Sequence, residues 1–192
     1  EAAFRELMNT AVDQTQRNGG LVTAEATPHH ISLTDELLAS YSALYKVNPP
    51  LRTIEDVVAV REGLQDGTID AIATDHAPHV SETKEMPLDQ APPGMLGLET
   101  ALGVALAHLD MPLVDVVAAM SWKPAAIAGI ADRHGRPIAP GEPANLTAFD
   151  PDDRALVRDD RLAVDTGGDQ PVSDPKVVVH VVTRLHLALL RR

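Results

Sequence analysis

A run of apolar and β-branched residues over positions 69–74 stops abruptly at Asp75-His76-Ala77-Pro78-His79. A carboxylate and two imidazoles within five positions can ligate a metal, accept a proton or grip an anion. In α/β proteins such groups gather where parallel strands end and their loops begin. Asp75 placed there would be fixed at its Cα yet open at its carboxylate, which suits a metal ligand or a general base. The bland alternative is an ordinary strand end with a turn-forming Asp and a solvated His. Three titratable groups directly after one buried-looking strand weigh against it.

The elements that must position these residues follow from periodicity and punctuation. Phe4, Leu7, Met8, Ala11 and Val12 recur at helical spacing, and Asn18-Gly19-Gly20 supplies the stop. Residues 21–26 read as a strand that runs into the corner Thr27-Pro28-His29-His30. Ser32 with Asp35 can cap a short helix carrying Leu37 and Leu38, and Asn48-Pro49-Pro50 then breaks the chain. Thr53 caps a helix that turns Ile54, Val57, Val58, Val60 and Leu64 inward and closes at Gly67. Residues 69–74 form the next strand, 76–98 a long Pro- and Gly-containing loop of the kind that is often functional. Helices are expected over 99–109, 113–120 and 124–130.

Strand, helix, strand, helix is the signature of a parallel α/β architecture. The pattern changes after Gly135, where residues 137–143 are turn-rich and 146–149 and 177–182 are short β-runs. Two regions are therefore expected: 1–134 as α/β and 135–192 as a β-rich appendage, divergent or truncated at its end.

Composition narrows the classes. The chain has 192 residues, 44% hydrophobic and 23% charged, as globular proteins do. Aromatics are 3%, so the core must be built from Ala, Val, Ile and Leu. A net charge of −12 argues against nucleic acid or an anionic membrane as partner. The absence of Cys excludes disulfides and thiolate metal sites and fits a cytoplasmic setting. No signal-peptide pattern and no apolar run of spanning length occur.

Ala73-Thr74-Asp75-His76-Ala77-Pro78-His79, followed by Lys84, resembles the C-terminal signature of dihydroorotase, a cyclic amidohydrolase of pyrimidine synthesis. Thr23-Ala24-Glu25-Ala26-Thr27-Pro28-His29-His30, Val47-Asn48-Pro49-Pro50-Leu51-Arg52 and Asp66-Gly67-Thr68-Ile69-Asp70 keep the family's order and spacing. So do Pro93-Gly94-Met95-Leu96-Gly97-Leu98-Glu99-Thr100 and Gly141-Glu142-Pro143-Ala144-Asn145-Leu146-Thr147. The resemblance covers residues 21–150. It implies late strands and helices of an amidohydrolase (β/α)8 TIM barrel, with part of a small β-sandwich appended. The implied reaction is the zinc-dependent, reversible cyclisation of N-carbamoyl-L-aspartate to L-dihydroorotate.

The resemblance also assigns roles. Asp75 matches the residue that contacts metal and shuttles the proton. His79 matches the residue that binds the substrate carboxylate, Asn48 one that hydrogen-bonds the substrate, and Pro93 and Gly94 a loop whose backbone touches the substrate ring. Neighbouring residues of a strand point to opposite faces, so His29 and His30 are expected in supporting roles rather than as a ligand pair. His76 is expected to be a structural hydrogen-bonding residue.

Several family features do not occur in these 192 residues. The His-x-His of the first strand, the acidic or modified-lysine bridge, the middle-barrel His and the substrate-binding Arg have no match. A ligand His expected about 28 residues before His30 would fall near Ala2, and no His precedes His29. The chain is thus expected to be a C-terminal portion, inactive alone, with Asp75 the one matched ligand where catalytic zinc takes three. A hydantoinase or allantoinase shares the Asp-His strand end and remains an alternative. So does a non-catalytic dihydroorotase-like subunit scaffolding aspartate transcarbamoylase. The expected partner is a small-molecule substrate, with homo-oligomerisation or association with aspartate transcarbamoylase left open.

Overall fold

The computed structural model describes residues 22–142 and 146–151. Two strands, β1 (Glu25–Ala26) and β2 (Ala71–Ile72), pair in parallel with Glu25 opposite Ala71 and Ala26 opposite Ile72. Hydrogen bonds continue the pairing on both sides, from Asp70 N and Ala71 N to Ala24 O and from Ala73 N to Ala26 O. The Asp70 carboxylate also accepts from Ala24 N at 2.9 Å. The regular ladder is shorter than the expected apolar runs, and single hydrogen bonds carry the pairing past its ends. Parallel neighbours require a crossover, and here it contains α1 (Pro28–Ser32), two 3-10 turns (Asp35–Ser40 and Ala43–Tyr45) and α2 (Ile54–Asp66).

Helix α2 forms as its sequence requires. The Thr53 hydroxyl accepts from Asp56 N at the N-cap, and Gly67 closes the helix in the left-handed region at φ 83°. Val57 and Leu64 are buried as expected, whereas Ile54 and Val58 are exposed. Both lie off the stripe that meets the described core. The loop after β2 holds α3 (Ser81–Lys84) and is followed by α4 (Ala101–His108), α5 (Leu113–Met120) and α6 (Trp122–Ile127).

Three expectations are corrected. Residues 28–30 do not extend the strand: Pro28 opens α1, and the Thr27 hydroxyl caps it by accepting from His30 N. Ser32 is the last residue of α1 and donates to Pro28 O at 2.8 Å, so Thr34, not Ser32, precedes the following 3-10 turn. Residues 146–149 form no strand, since no described residue supplies a ladder partner. The helix expected near the N-terminus and the β-run at 177–182 lie outside the described residues, as does most of the expected appendage.

The core gathers between the strand pair and the helices. Ala26, Ile31, Leu64, Ile72, Ala105, Leu109, Val116 and Ala119 form one buried cluster. Its small side chains let α4 and α5 approach closely, and the aromatic-poor composition is met in full by aliphatic packing. Helix α1 packs on α2 and α4, and α5 packs on α4, α6 and β2. Arg61 of α2 ties this layer together, donating to Ile31 O at 2.7 Å and to His108 Nδ1 at 3.2 Å.

Burial, then the Arg61 guanidinium, holds the His108 pKa below the ordinary imidazole value. In the unfolded chain that value is about 6.5, so the unfolded state takes up the proton first as pH falls. The stability contributed by neutral His108 is therefore present above about pH 6.5 and lost below it. Thermal melts should show the midpoint falling from pH 7 to pH 5.5, with a shallower fall in His108→Asn, which keeps an acceptor for Arg61 but cannot titrate. Parallel pH profiles for the two proteins would contradict this.

Candidate active site

Asp75 follows β2 by three residues and adopts φ 44°, the left-handed region that non-glycine residues rarely occupy. Such a conformation costs roughly 1–3 kcal/mol and persists where the surroundings impose it. The imposition is visible directly after it. His76 forms a parallel bridge with Met95, and Ala77 N donates to Met95 O at 3.0 Å. His76 Nδ1 accepts from the backbone N–H groups of Gly97 and Leu98, at 3.2 and 3.1 Å. His76 thus has the structural role expected of it. The turn leaves the Asp75 side chain 46% exposed while the strand that carries it is buried.

His79, Pro93 and Gly94 are brought together. His79 Nε2 lies 3.0 Å from Pro93 O, and because a carbonyl only accepts, Nε2 is the protonated nitrogen. That bond leaves Nδ1 as the ring nitrogen for any further partner. Gly94 adopts φ 139°, and a Cβ there would fall 2.8 Å from Ala77 Cβ and 2.9 Å from both Ala77 O and His79 Nε2. Gly94 N donates to Lys46 O at 2.8 Å, two residues before the exposed Asn48.

The Asn48 segment is fixed from its other side by His30. The Thr27 hydroxyl lies 2.7 Å from His30 Nδ1, and His30 Nε2 lies 3.2 and 3.3 Å from the carbonyls of Pro49 and Pro50. His30 is therefore a structural residue that joins β1 to the Asn48-Pro49-Pro50 turn, in which the Asn48–Pro49 peptide is cis.

His29 departs from expectation. It sits on α1, not on an extended strand, so the opposite-face argument does not apply to it. Its ring is buried, its Nε2 lies 3.8 Å from Asp75 Oδ2, and neither ring nitrogen has a hydrogen-bond partner among the described residues. Burial, then the neighbouring His30, pushes its pKa down to about 4, with Asp75 opposing. At neutral pH the contact is therefore between a neutral imidazole and a carboxylate, too long for a hydrogen bond. An unsatisfied buried polar group costs about 1–3 kcal/mol, so a buried imidazole held beside the Asp75 carboxylate marks that spot as chemically special. The signal was present in the sequence: Thr before Pro is a helix-start pattern, Thr as N-cap and Pro at the first helical position.

Among the described residues no group of three or more His, Cys, Asp or Glu could hold a metal ion. Asp75 and His29 offer two donors where a catalytic zinc takes three protein ligands. The described residues do not by themselves fit the zinc that the resemblance implies. Concavity points elsewhere as well. A cavity of about 620 Å³ lies between α6, residues 133–142 and Leu146, lined by Met120, Pro124, Ala128 and Ile130 among others, and by none of Asp75, Asn48, His79, Pro93 or Gly94.

The Gly94 geometry gives a direct test. Gly94→Ala should lower the thermal midpoint by at least about 2 °C, the effect of roughly 1 kcal/mol in a chain of this size. It should also shift the NMR signals of Ala77 and His79, whose atoms the new methyl meets. An unchanged midpoint with unchanged signals would contradict the close approach.

Comparison with known proteins places the chain in a family. Residues 12–179 match the amidohydrolase family. The chain is 59% identical over 133 residues to a dihydroorotase of Streptomyces coelicolor, covering 67% of this chain and 31% of that protein. It is 49% identical over 162 residues to a dihydroorotase of Mycobacterium leprae, covering 82% and 36%. Among solved structures it resembles an L-hydantoinase (dihydropyrimidinase) from Arthrobacter aurescens, with a TM-score of 0.68, 31% identity, and 78% of this chain and 34% of that one covered. A D-hydantoinase from a Thermus species, at 23% identity, TM-score 0.67 and coverage of 79% and 35%, shares the fold. The chain spans about a third of the length of the proteins it matches.

Proposed function

Because this chain belongs to the amidohydrolase family, which makes its βα units part of a (β/α)8 barrel, we propose that it is the segment of a dihydroorotase that carries the proton-transferring carboxylate. The reaction is the reversible closure of N-carbamoyl-L-aspartate to L-dihydroorotate, and the substrate is a small cyclic amide. The observation that carries the reading is Asp75, held in a left-handed turn just past β2 with its carboxylate open to solvent. Its support is the company it keeps: the His79–Pro93 hydrogen bond and the close approach of Gly94.

Opening a cyclic amide with water needs a base to take the water's proton and an acid to return it to the leaving nitrogen. A single carboxylate does both if it stays beside the reacting atoms. In this reading Asp75 is that group. His79 grips the substrate carboxylate through Nδ1, Asn48 donates and accepts across the ureide, and the Pro93-Gly94 backbone lies against the ring, where the absence of a side chain at Gly94 permits contact. Zinc, in the same reading, is completed by ligands other than the described residues, and no step above depends on it. A cytoplasmic location belongs to this reading too, resting on a chain without Cys. No helix among the described residues is long and apolar enough to cross a membrane.

The test uses the complete protein that contains this chain, assayed with dihydroorotate, hydantoin and allantoin. Preference for dihydroorotate is expected, and preference for hydantoin or allantoin would support the hydantoinase alternative. Asp75→Asn keeps the shape and removes the proton acceptor, so kcat should fall by about 10²-fold or more with little change in KM. Residual turnover above about a tenth of the unsubstituted rate would make Asp75 structural.

A further inference from the structure

Lys84 stands in the segment that resembles the dihydroorotase signature, nine residues after Asp75, with no chemical task in the mechanism above. Its ammonium sits where three stretches of chain meet. It donates to Pro92 O at 3.1 Å and reaches Lys46 O at 3.5 Å. The same Lys46 carbonyl accepts from Gly94 N at 2.8 Å, and the carbonyl next to Pro92, that of Pro93, accepts from His79 Nε2. Lys46 reaches back across the gap, donating to Leu88 O at 2.7 Å and Asp89 O at 3.3 Å. Two lysines therefore stitch the 84–94 loop to the chain just before Asn48, one from each side.

A lysine is suited to this task because it carries three donors and no acceptor. The loop offers it carbonyls that no strand or helix would otherwise satisfy, and such groups are costly to leave unpaired. The tie is not free of cost. Burial, then the nearby Lys46 ammonium, holds the Lys84 pKa below its ordinary value. A lysine serving only solubility would point outward and avoid both penalties.

We propose that Lys84 is a positioning residue for the substrate: by donating to the carbonyls of Pro92 and Lys46, it fixes the Pro93-Gly94 backbone in register with His79 and Asn48. It touches neither substrate nor reacting atoms and acts through the loop alone. The identity of what the loop contacts rests on the dihydroorotase reading, whereas the locking of the loop does not. Removing the ammonium should loosen binding geometry and leave the proton transfer by Asp75 nearly intact once substrate is held.

Two measurements test this on Lys84→Met and Lys84→Arg. Amide hydrogen exchange should rise about tenfold or more at Gly94 and its neighbours in Lys84→Met, while the amides of α2 stay protected. Lys84→Arg, which keeps a cationic donor, should fall between. In the complete protein, Lys84→Met should raise KM for dihydroorotate about tenfold with kcat within about threefold, and Lys84→Arg should recover part of the loss. Unchanged exchange at Gly94, or loosened exchange with unchanged KM, would overturn the proposal. If Lys84→Met fails to fold, Lys84→Ala, which also removes every side-chain donor, carries both readouts, and unchanged values in it overturn the proposal equally. Absence of dihydroorotate turnover in the unsubstituted complete protein would refute the dihydroorotase reading instead, and the exchange result would still decide whether Lys84 locks the loop.

Discussion

The parallel pairing of β1 with β2 is the constraint on which everything else depends. It sets Ala26 beside Ile72 and so brings two loops that are about 50 residues apart in the chain to the same end of the sheet. From β1 the chain turns at once into α1, which carries His29 and His30. From β2 it turns at once into the Asp75 corner. A slip of one residue would exchange the exposed Glu25 and the buried Ala26 of β1, and the Asp75–His29 juxtaposition would be lost with it. Asp70, bonding Ala24 N from the neighbouring strand, pins that register at its entry.

Past the strands, side chains take over from the ladder. His30 holds the Asn48-Pro49-Pro50 turn, His76 holds the Gly97-Leu98 backbone, His79 holds Pro93, and Lys46 and Lys84 hold the loop between. Each of these bonds joins a side chain to a main-chain group that irregular backbone leaves without a partner. The proline-rich character of the loops makes such help necessary, because every proline withholds an N–H. The result is a mouth made of loops whose backbone is fixed from within. Such preorganisation is what binding and proton transfer require of a site that must not rearrange at the moment of reaction.

Much of this was legible in the sequence. Thr53 and Gly67 bracket α2, and the apolar run 113–120 coincides with α5, since capping and periodicity are local signals. The strand-then-carboxylate pattern placed Asp75 just past β2, and His76, expected to be a structural hydrogen-bonding residue, accepts from two backbone N–H groups. What was not legible depended on long-range contact. Ile54 and Val58 read as inward because periodicity reports a stripe but not which neighbour covers it. His29 was expected in a supporting role on an extended strand, whereas the Thr27-Pro28 pair starts a helix and turns His29 toward Asp75. Residues 146–149 have strand composition and no described partner, and composition alone cannot make a ladder.

The central claim is that the end of β2 and the loops fixed around it form the substrate-binding face of a dihydroorotase. A crystal structure of the complete protein with bound dihydroorotate tests it most directly. The account predicts the Asp75 carboxylate within hydrogen-bond reach of the amide being opened, about 2.6–3.2 Å, the ring against the Pro93-Gly94 backbone, and the substrate carboxylate on His79 Nδ1. Dihydroorotate bound elsewhere, for example in the cavity beside α6, with Asp75 making no contact to it, would contradict the account.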